Sequence, residues 1–294
     1  MATLREIRRR ITSIKNIEQV TDAMRVVAAA RLRRAQENIM ATRPYADKLN
    51  MVLGHLISQM DVENEALTHP LLETREIKHA CIVSVSADRG LCGSFNSNLI
   101  RTTTQRIEHY QESGADVTLI CIGRRGHEHF VRRGYDITDS YINIFRQLEF
   151  QTAVDVVHEF EHLYTDKKID KVEVIYNNFK SAILQTVLVE QLLPLAPEIP
   201  EGDELFLDYI YEPGQVELFE MLLGKHLNMQ MWKVLLDSNA AEQAARMAAM
   251  ENATQKAKEL IDELILQRNR ARQTQITTEI SEIVSGAAAL EGKR

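Results

Sequence analysis

Apolar residues recur in steps of three and four at both ends of this chain and gather into short runs between them. From about Leu218 to Leu290 there is no proline and only two glycines, Gly224 and Gly286. Alanines fill the middle of that stretch: Ala240, Ala241, Ala244, Ala245, Ala248, Ala249, Ala253 and Ala257. Larger residues follow at Leu260, Leu264, Ile276, Ile280, Ile283, Ala287 and Leu290. This spacing lays one apolar stripe along one helix face. At 1.5 Å per residue such a helix is roughly 110 Å long, so it needs a partner along most of its length. The other end of the chain offers one. Leu4, Ile7, Ile11, Ile14, Ile17, Val20, Met24, Val27, Ala28, Leu32, Ala35 and Ile39 take the same steps. Thr3 and Glu6 form a capping box that starts a helix almost at the first residue. Pro44 should kink that helix or mark a bend. Two long helices at opposite ends of one chain pair most simply as an antiparallel coiled coil. Ala28 to Ala30 are then expected opposite Ala244 and Ala245.

Between the helices the period changes. Residues 61–76 are polar and acidic and read as a linker. Strands are expected at Ala80–Ser86, Val117–Ile122 and Val172–Tyr176, with helices at Asn98–Gln111, Gly126–Arg133 and Thr152–Tyr164. Gln185–Leu193 and Leu205–Tyr211 read as edge strands either side of Pro194, Pro197 and Pro200. Alternating strands and helices imply a parallel, Rossmann-like sheet. The fold class is therefore α/β, a long antiparallel coiled coil plus a Rossmann-like domain. Its divisions fall at residues 1–60, 61–212 and 213–294.

Charge narrows the function classes. Residues 1–50 hold eleven Lys or Arg and five Asp or Glu, a net +6, while the whole chain is −7. The basic residues gather at Arg8 to Arg10 and at Arg31, Arg33 and Arg34. A solvated helix face accounts for such runs. Nucleic acid fits poorly, because the chain is acidic overall and aromatics do not interleave with the arginines. A partner with an acidic surface fits better. No apolar run approaches the length that spans a bilayer. The basic N-terminal helix lacks a signal-peptide core, and Glu6, Glu18 and Asp22 argue against a transit peptide. Cys81, Cys92 and Cys121, odd in number and without C-x-x-C, point to reduced thiols.

Nucleotide motifs are missing. The turn Asp88-Arg89-Gly90-Leu91-Cys92-Gly93-Ser94 has no G-x-G-x-x-G, and no G-x-x-x-x-G-K-[ST] occurs anywhere. Gly90-Leu91-Cys92 opens like a nucleophile elbow, but Ser94 stands where the elbow needs glycine. A buried structural thiol is the simpler reading. His158-Glu159-Phe160-Glu161-His162 matches H-E-x-x-H, which on a helix could bind zinc with Glu159 as base. A zinc-dependent hydrolase is thus the alternative function. It lacks a convincing third ligand: Thr165 and Lys168 stand where a metzincin has Gly and His, and Glu190 is only nominal. An exposed polar helix face explains the pattern without metal.

Seven segments, in order along the whole chain, carry a more specific resemblance. They are Met24-Arg25-Val26-Val27-Ala28-Ala29, Arg43-Pro44-Tyr45-Ala46, Asp88 to Gly93, Gln191 to Leu195, Tyr209-Ile210-Tyr211-Glu212-Pro213, Glu242 to Met250, and Ala271 to Thr277 with Glu279-Ile280 and Glu282 to Ala287. Together they resemble the γ-subunit family of the F-type ATP synthases, the central stalk of the rotary motor. The resemblance implies a coiled-coil shaft inside an α3β3 hexamer, with its tip, Ser285 to Leu290, in an apolar sleeve. It implies a foot holding the ε subunit and resting on the c-ring, so that proton-driven rotation couples to ATP synthesis or hydrolysis at β. By similarity Met24, Arg246, Arg272, Gln273 and Thr277 are rotor–stator contacts. Arg43, Tyr45, Tyr209, Tyr211 and Glu212 form the foot. The basic clusters would face acidic surface on β. No catalytic residue, cofactor or metal is implied, and the membrane is met only through partners. Departures are few: Ser94-Phe95 follow the glycine turn where smaller residues are common, and Glu291 to Arg294 run past the usual end. The inserted cysteine pair of the plastid form is absent. A bacterial enzyme on the cytoplasmic face of the inner membrane is therefore expected.

Overall fold

The computed structural model describes residues 3–59, 69–182, 184–195 and 214–291. Its elements are α1 (Leu4–Gln59), a 3-10 turn (Pro70–Leu72), β1 (His79–Val85), α2 (Phe95–Glu112), β2 (Asp116–Ile122), α3 (Arg124–Arg132), β3 (Ile137–Tyr141), a second 3-10 turn (Ile144–Arg146), α4 (Phe150–Thr165), β4 (Lys171–Phe179), β5 (Gln185–Leu193) and α5 (Gln215–Glu291). The capping box forms: Thr3 N donates to Glu6 Oε2 at 2.9 Å and Glu6 N to Thr3 Oγ1 at 3.3 Å. Pro44 lies inside α1, which continues through it. The expected strand Leu205–Tyr211, with Pro197 and Pro200, falls outside the described residues.

The chain divides into two compact units: residues 28–246, and the segments up to Val27 and from Met247. The first holds a five-stranded sheet in the order β3-β2-β1-β4-β5. The β1–β2, β1–β4 and β2–β3 pairs are parallel. β4 and β5 are antiparallel, so the sheet is mixed rather than parallel throughout. β3 escaped the sequence reading because its five residues, Ile-Thr-Asp-Ser-Tyr, are too short and polar to show a run. Among the described residues it pairs only with β2, at the edge, where partial burial suffices. β1 is central and buried from Ala80 onward. Its side chains alternate between two cores, as the pleat requires. Ala80 and Ile82 join Leu99, Ile107, Leu119, Cys121 and Phe130 beneath α2 and α3. Cys81, Val83 and Val85 face the opposite way, with Phe160 and Tyr164 of α4, Leu53 and Leu56 of α1, and Phe219 to Leu235 of α5. A bidentate bond from Arg106 to Glu173, both contacts 2.6 Å, ties α2 to β4. Part of the expected 61–76 linker is structural: Leu71 is buried in the larger core, and its carbonyl accepts a bond from Leu195 N at 2.8 Å.

Within this unit α1 and α5 run in opposite directions, since Arg31 lies near Glu242 while Leu53 and Leu56 lie among residues 219–235. The middle of α5 is enclosed nearly all round, and burial reaches even Asp237, Ser238, Glu242, Gln243 and Arg246. Ala28 and Ala244 are both buried, as the small-residue register requires. Ala30 is exposed, however, and Ala241 and Ala245 pack instead against Ala87, Cys92, Phe95 and Phe179. The alanines of α5 therefore also make room for the sheet domain.

In the second unit the same two helices pair through Ile7 and Ile11 on α1 and Met250, Thr254, Ala257 and Ile261 on α5. Thr21 Oγ1 and Thr254 Oγ1 meet at 2.8 Å. A satisfied polar pair within an apolar seam fixes register. The seam departs from the expected one. On α1 it steps from Ile11 to half-buried Ile14, Glu18, Thr21 and Arg25, which leaves Ile17 at 48% and Val20 at 58% exposure. Two successive steps of three drift off one helix face, whereas alternating fours and threes hold it. On α5, Ile261 replaces Leu260, which is exposed, for the same reason.

Two substitutions test this packing. Ala241→Leu drives a larger side chain against Cys92 and Phe95. It should cost about 1–3 kcal/mol, read as a lower denaturation midpoint at unchanged slope. Asp237 is nearly buried, and burial, reinforced by Glu190 and opposed by Lys233, pushes its carboxyl up to about 6. The folded state therefore binds this proton more tightly than the unfolded state. The stabilisation is complete below the unfolded value near 3.8 and is lost as pH rises through 6. Asp237→Asn should accordingly stabilise the protein at pH 7.5 by on the order of 1–3 kcal/mol, with the difference closing near pH 4.

Candidate functional site

The turn between β1 and α2 is tied to its neighbours by side-chain bonds. Ala87 N donates to Asn96 Oδ1 at 2.9 Å, and Asn96 Nδ2 donates back to Arg89 O at 3.3 Å. Asp88 Oδ1 accepts from Arg124 N at 3.1 Å and from Asn143 N at 2.7 Å, joining the turns that follow β2 and β3. Ser86 Oγ accepts from Gly126 N at 2.8 Å. Gly123 has φ +88°, and a Cβ there would stand 2.0 Å from the Ser86 carbonyl oxygen, so only glycine fits. Leu91 takes a left-handed backbone, φ 63°, and points outward at 66% exposure. Cys92 is buried beneath it, and burial pushes its thiol up, away from the range of a nucleophile. Beside the turn, a groove of about 790 Å³ between α2 and α3 is lined by Arg101, Arg125, Arg132 and Arg133 as well as Glu108 and Glu128.

H-E-x-x-H lies on α4, with His158 and His162 exposed and their rings 6.4 Å apart. His162 Nδ1 faces Asp166 Oδ2 at 3.2 Å. Glu190, the nominal third ligand, is on β5 and accepts a bond from Tyr176 Oη at 2.8 Å. Among the described residues no group of three or more His, Cys, Asp or Glu is arranged to hold a metal ion. The pattern lies on an exposed helix surface, and among the described residues no third ligand stands with the two histidines.

The residues named by resemblance fall into three environments. Arg272, Gln273 and Thr277 are exposed on α5, with Thr277 Oγ1 donating to Gln273 O at 3.0 Å. Every described side chain from Arg272 to Gly286 is exposed, including Ile276, Ile280 and Ile283. Met24 is half-buried on α1, beside Arg25, which pairs with Asp22 at 2.9 Å. Arg43 and Tyr45 are exposed, and Arg43 lines a cleft of about 310 Å³ with Asp47, Lys233 and Asp237. Tyr209, Tyr211 and Glu212 fall outside the described residues. Arg246 stands apart from all of these: it is 8% exposed, and its guanidinium is engaged within the chain. Nη1 donates to Gly90 O at 2.6 Å and Nη2 to Glu242 Oε1 at 2.5 Å. Glu242 and Asp88 carry this arrangement, and neither was singled out from the sequence. The four-residue spacing of Glu242 and Arg246 was the available signal, but it does not distinguish a buried pair from a surface one.

Comparison with known proteins agrees with this anatomy. The profile of the ATP synthase family matches residues 3–290. The ATP synthase gamma chain of Prosthecochloris aestuarii is 46% identical over 296 residues, covering 99% of this chain and 100% of the relative. That of Pelodictyon phaeoclathratiforme is 47% identical over 294 residues, covering 99% of each. A chain of the central stalk and c-ring structure of Tetrahymena thermophila mitochondrial ATP synthase aligns with a TM-score of 0.60 at 27% identity, over 80% of this chain and 99% of that one. A chain of the Euglena gracilis mitochondrial ATP synthase has the same fold, with a TM-score of 0.70 at 19% identity over 99% and 96% of the two chains. With a profile and relatives that match it from end to end, this chain belongs to the ATP synthase gamma chain family.

Proposed function

We propose that the chain is the central rotor shaft of an F1Fo ATP synthase, a non-catalytic subunit that couples rotation of the c-ring to the nucleotide sites on β. The observation that carries this reading is the apolar surface the chain leaves uncovered. Ile17, Val20 and Val27 on α1 and Ile276, Ile280 and Ile283 on α5 follow helical spacing yet lie outside the seam. Such ridges mark surfaces that a partner covers, here the inner wall of the α3β3 hexamer. The mostly small, uncharged residues Ser285 to Leu290 suit a tip that turns in an apolar sleeve. Arg272 offers a planar fork for carboxylates or carbonyls, with Gln273 and Thr277 beside it. These three, with Met24, are the proposed stator contacts; Arg246, expected among them by resemblance, has its guanidinium bound to Gly90 and Glu242 inside the chain. Arg43 and Tyr45, with Tyr209, Tyr211 and Glu212, are the proposed foot toward the ε subunit and the c-ring.

No described helix is long and apolar enough to cross a membrane. The proposed place is peripheral, on the cytoplasmic face of a bacterial inner membrane, reached through the c-ring. The three-part division at residues 1–60, 61–212 and 213–294 suits this role, a shaft of two helices and a domain between them. The adenine nucleotides and their chemistry belong to β.

Two measurements test the reading. The chain should co-purify with α3β3, and alone it should hydrolyse neither ATP nor peptides; a wild-type chain that fails to assemble with the hexamer would refute the role. Arg272→Ala and Gln273→Ala should leave folding and assembly intact. A contact made in only some rotary positions changes the relative energies of those positions. ATP synthesis and hydrolysis should therefore both fall about three- to tenfold, the equivalent of roughly 0.7–1.4 kcal/mol in a barrier. Full activity in membranes at wild-type enzyme content would remove these two residues from the mechanism.

A further inference from the structure

The β1–α2 turn and the middle of α5 are joined in two different ways. The first is apolar: Ala241 and Ala245 pack on Ala87, Cys92, Phe95 and Phe179. Hydrophobic contact opposes separation but has no direction, so it gives little resistance to sliding. The second is directional. The buried Arg246 guanidinium spans from the Gly90 carbonyl to the Glu242 carboxylate. Arg31 and Asp88 add one charge of each sign near Glu242, so the buried group is balanced overall. On the far side of the turn, Asp88 grips Arg124 N and Asn143 N. A continuous set of short bonds therefore runs from α5 through Gly90 and Asp88 to the ends of β1, β2 and β3. One arm of the guanidinium is held by Glu242 on α5 itself, so the bond the other arm makes across to Gly90 O has a fixed direction, and sliding the turn along α5 breaks it.

We propose that Arg246 and Glu242 are a shear key: positioning residues that lock the β1–α2 turn to α5, so that torque passes between the α/β domain and the helix without slip. The proposal rests on the rotor reading for its function, but the lock itself does not. It also assigns the glycine turn a mechanical task, where its place after the first strand invites a nucleotide.

Cys92 reports on the lock, because it is buried beneath the turn while Cys81 and Cys121 are buried in the sheet. In the full-length chain, N-ethylmaleimide should modify Cys92 about tenfold faster in Arg246→Ala than in wild type, as expected when a local opening loses one charge-assisted bond. Cys81 and Cys121 should stay protected. Arg246→Lys, which reaches one acceptor at a time, should fall between. Adding Glu242→Ala to Arg246→Ala should slow the modification part of the way back, since it removes the buried carboxylate left without its guanidinium. In inverted membrane vesicles, Glu242→Gln should keep wild-type ATP hydrolysis but build a smaller steady proton gradient, an effect that mere loss of stability would not produce. Cys92 as protected in Arg246→Ala as in wild type, or all three cysteines exposed together, overturns the lock. Faster Cys92 modification with an undiminished gradient in Glu242→Gln overturns its role in torque. Failure of the wild-type chain to assemble with α3β3 would instead count against the rotor reading and leave the thiol result standing.

Discussion

The α/β unit depends on the enclosure of the middle of α5. A helix gains little stability from its own backbone in water, and most of what holds it comes from the surfaces it buries. Residues 219–246 pack against α1, α4, the β1–α2 turn and the sheet beyond, and from Val234 to Arg246 almost every face is buried. That demand explains the composition. Large side chains, Phe219, Leu223, Leu227, Met231 and Leu235, fill the core shared with α4 and β4. Alanines take over where the turn comes close. Among the polar residues of this segment the Glu242–Arg246 pair is engaged, with its guanidinium bound to Gly90, whereas Ser238 Oγ and Gln243 Oε1 are buried without a hydrogen-bond partner. Removing one member of such a pair leaves an uncompensated buried charge, which costs far more than the pair contributes.

The same chemistry accounts for what could be read in advance. Strong periodicity over long stretches and short buried runs are local signals, so both long helices and the central strands were legible. The capping box at Thr3 and Glu6 was legible for the same reason. β3 was not, because an edge strand with one neighbour needs neither length nor a continuous apolar run. The direction of β5 was not, because pattern alone does not tell an antiparallel edge from a parallel one. The site was legible as a list and not as an arrangement. Arg272, Gln273 and Thr277 stand exposed on one stretch of α5. Arg246, from the same list, turned out to be occupied inside the chain.

The seam of α1 shows why periodicity over-predicted the core. Ile14, Ile17, Val20, Met24 and Val27 form a tempting run, yet the half-buried seam positions after Ile14 are polar: Glu18, Thr21 and Arg25. Hydrophobic residues in an isolated chain are assigned to its own core by default. In a subunit they serve two cores, one internal and one shared. Thr21 can occupy the internal seam because Thr254 satisfies it. Ile17 and Val20 can stay outside it because a partner of suitable shape covers them in the proposed assembly. A rotor sharpens this division. Contacts inside the shaft must hold through every turn, and directional bonds such as Thr21–Thr254 and Arg246–Gly90 meet that need. Contacts to the stator must form and break in each cycle. Apolar ridges and small residues suit them, because their attraction has no preferred angle. The seam thus keeps one satisfied polar pair within an apolar frame, and the surface keeps apolar ridges among its charges; each follows from what that surface has to do.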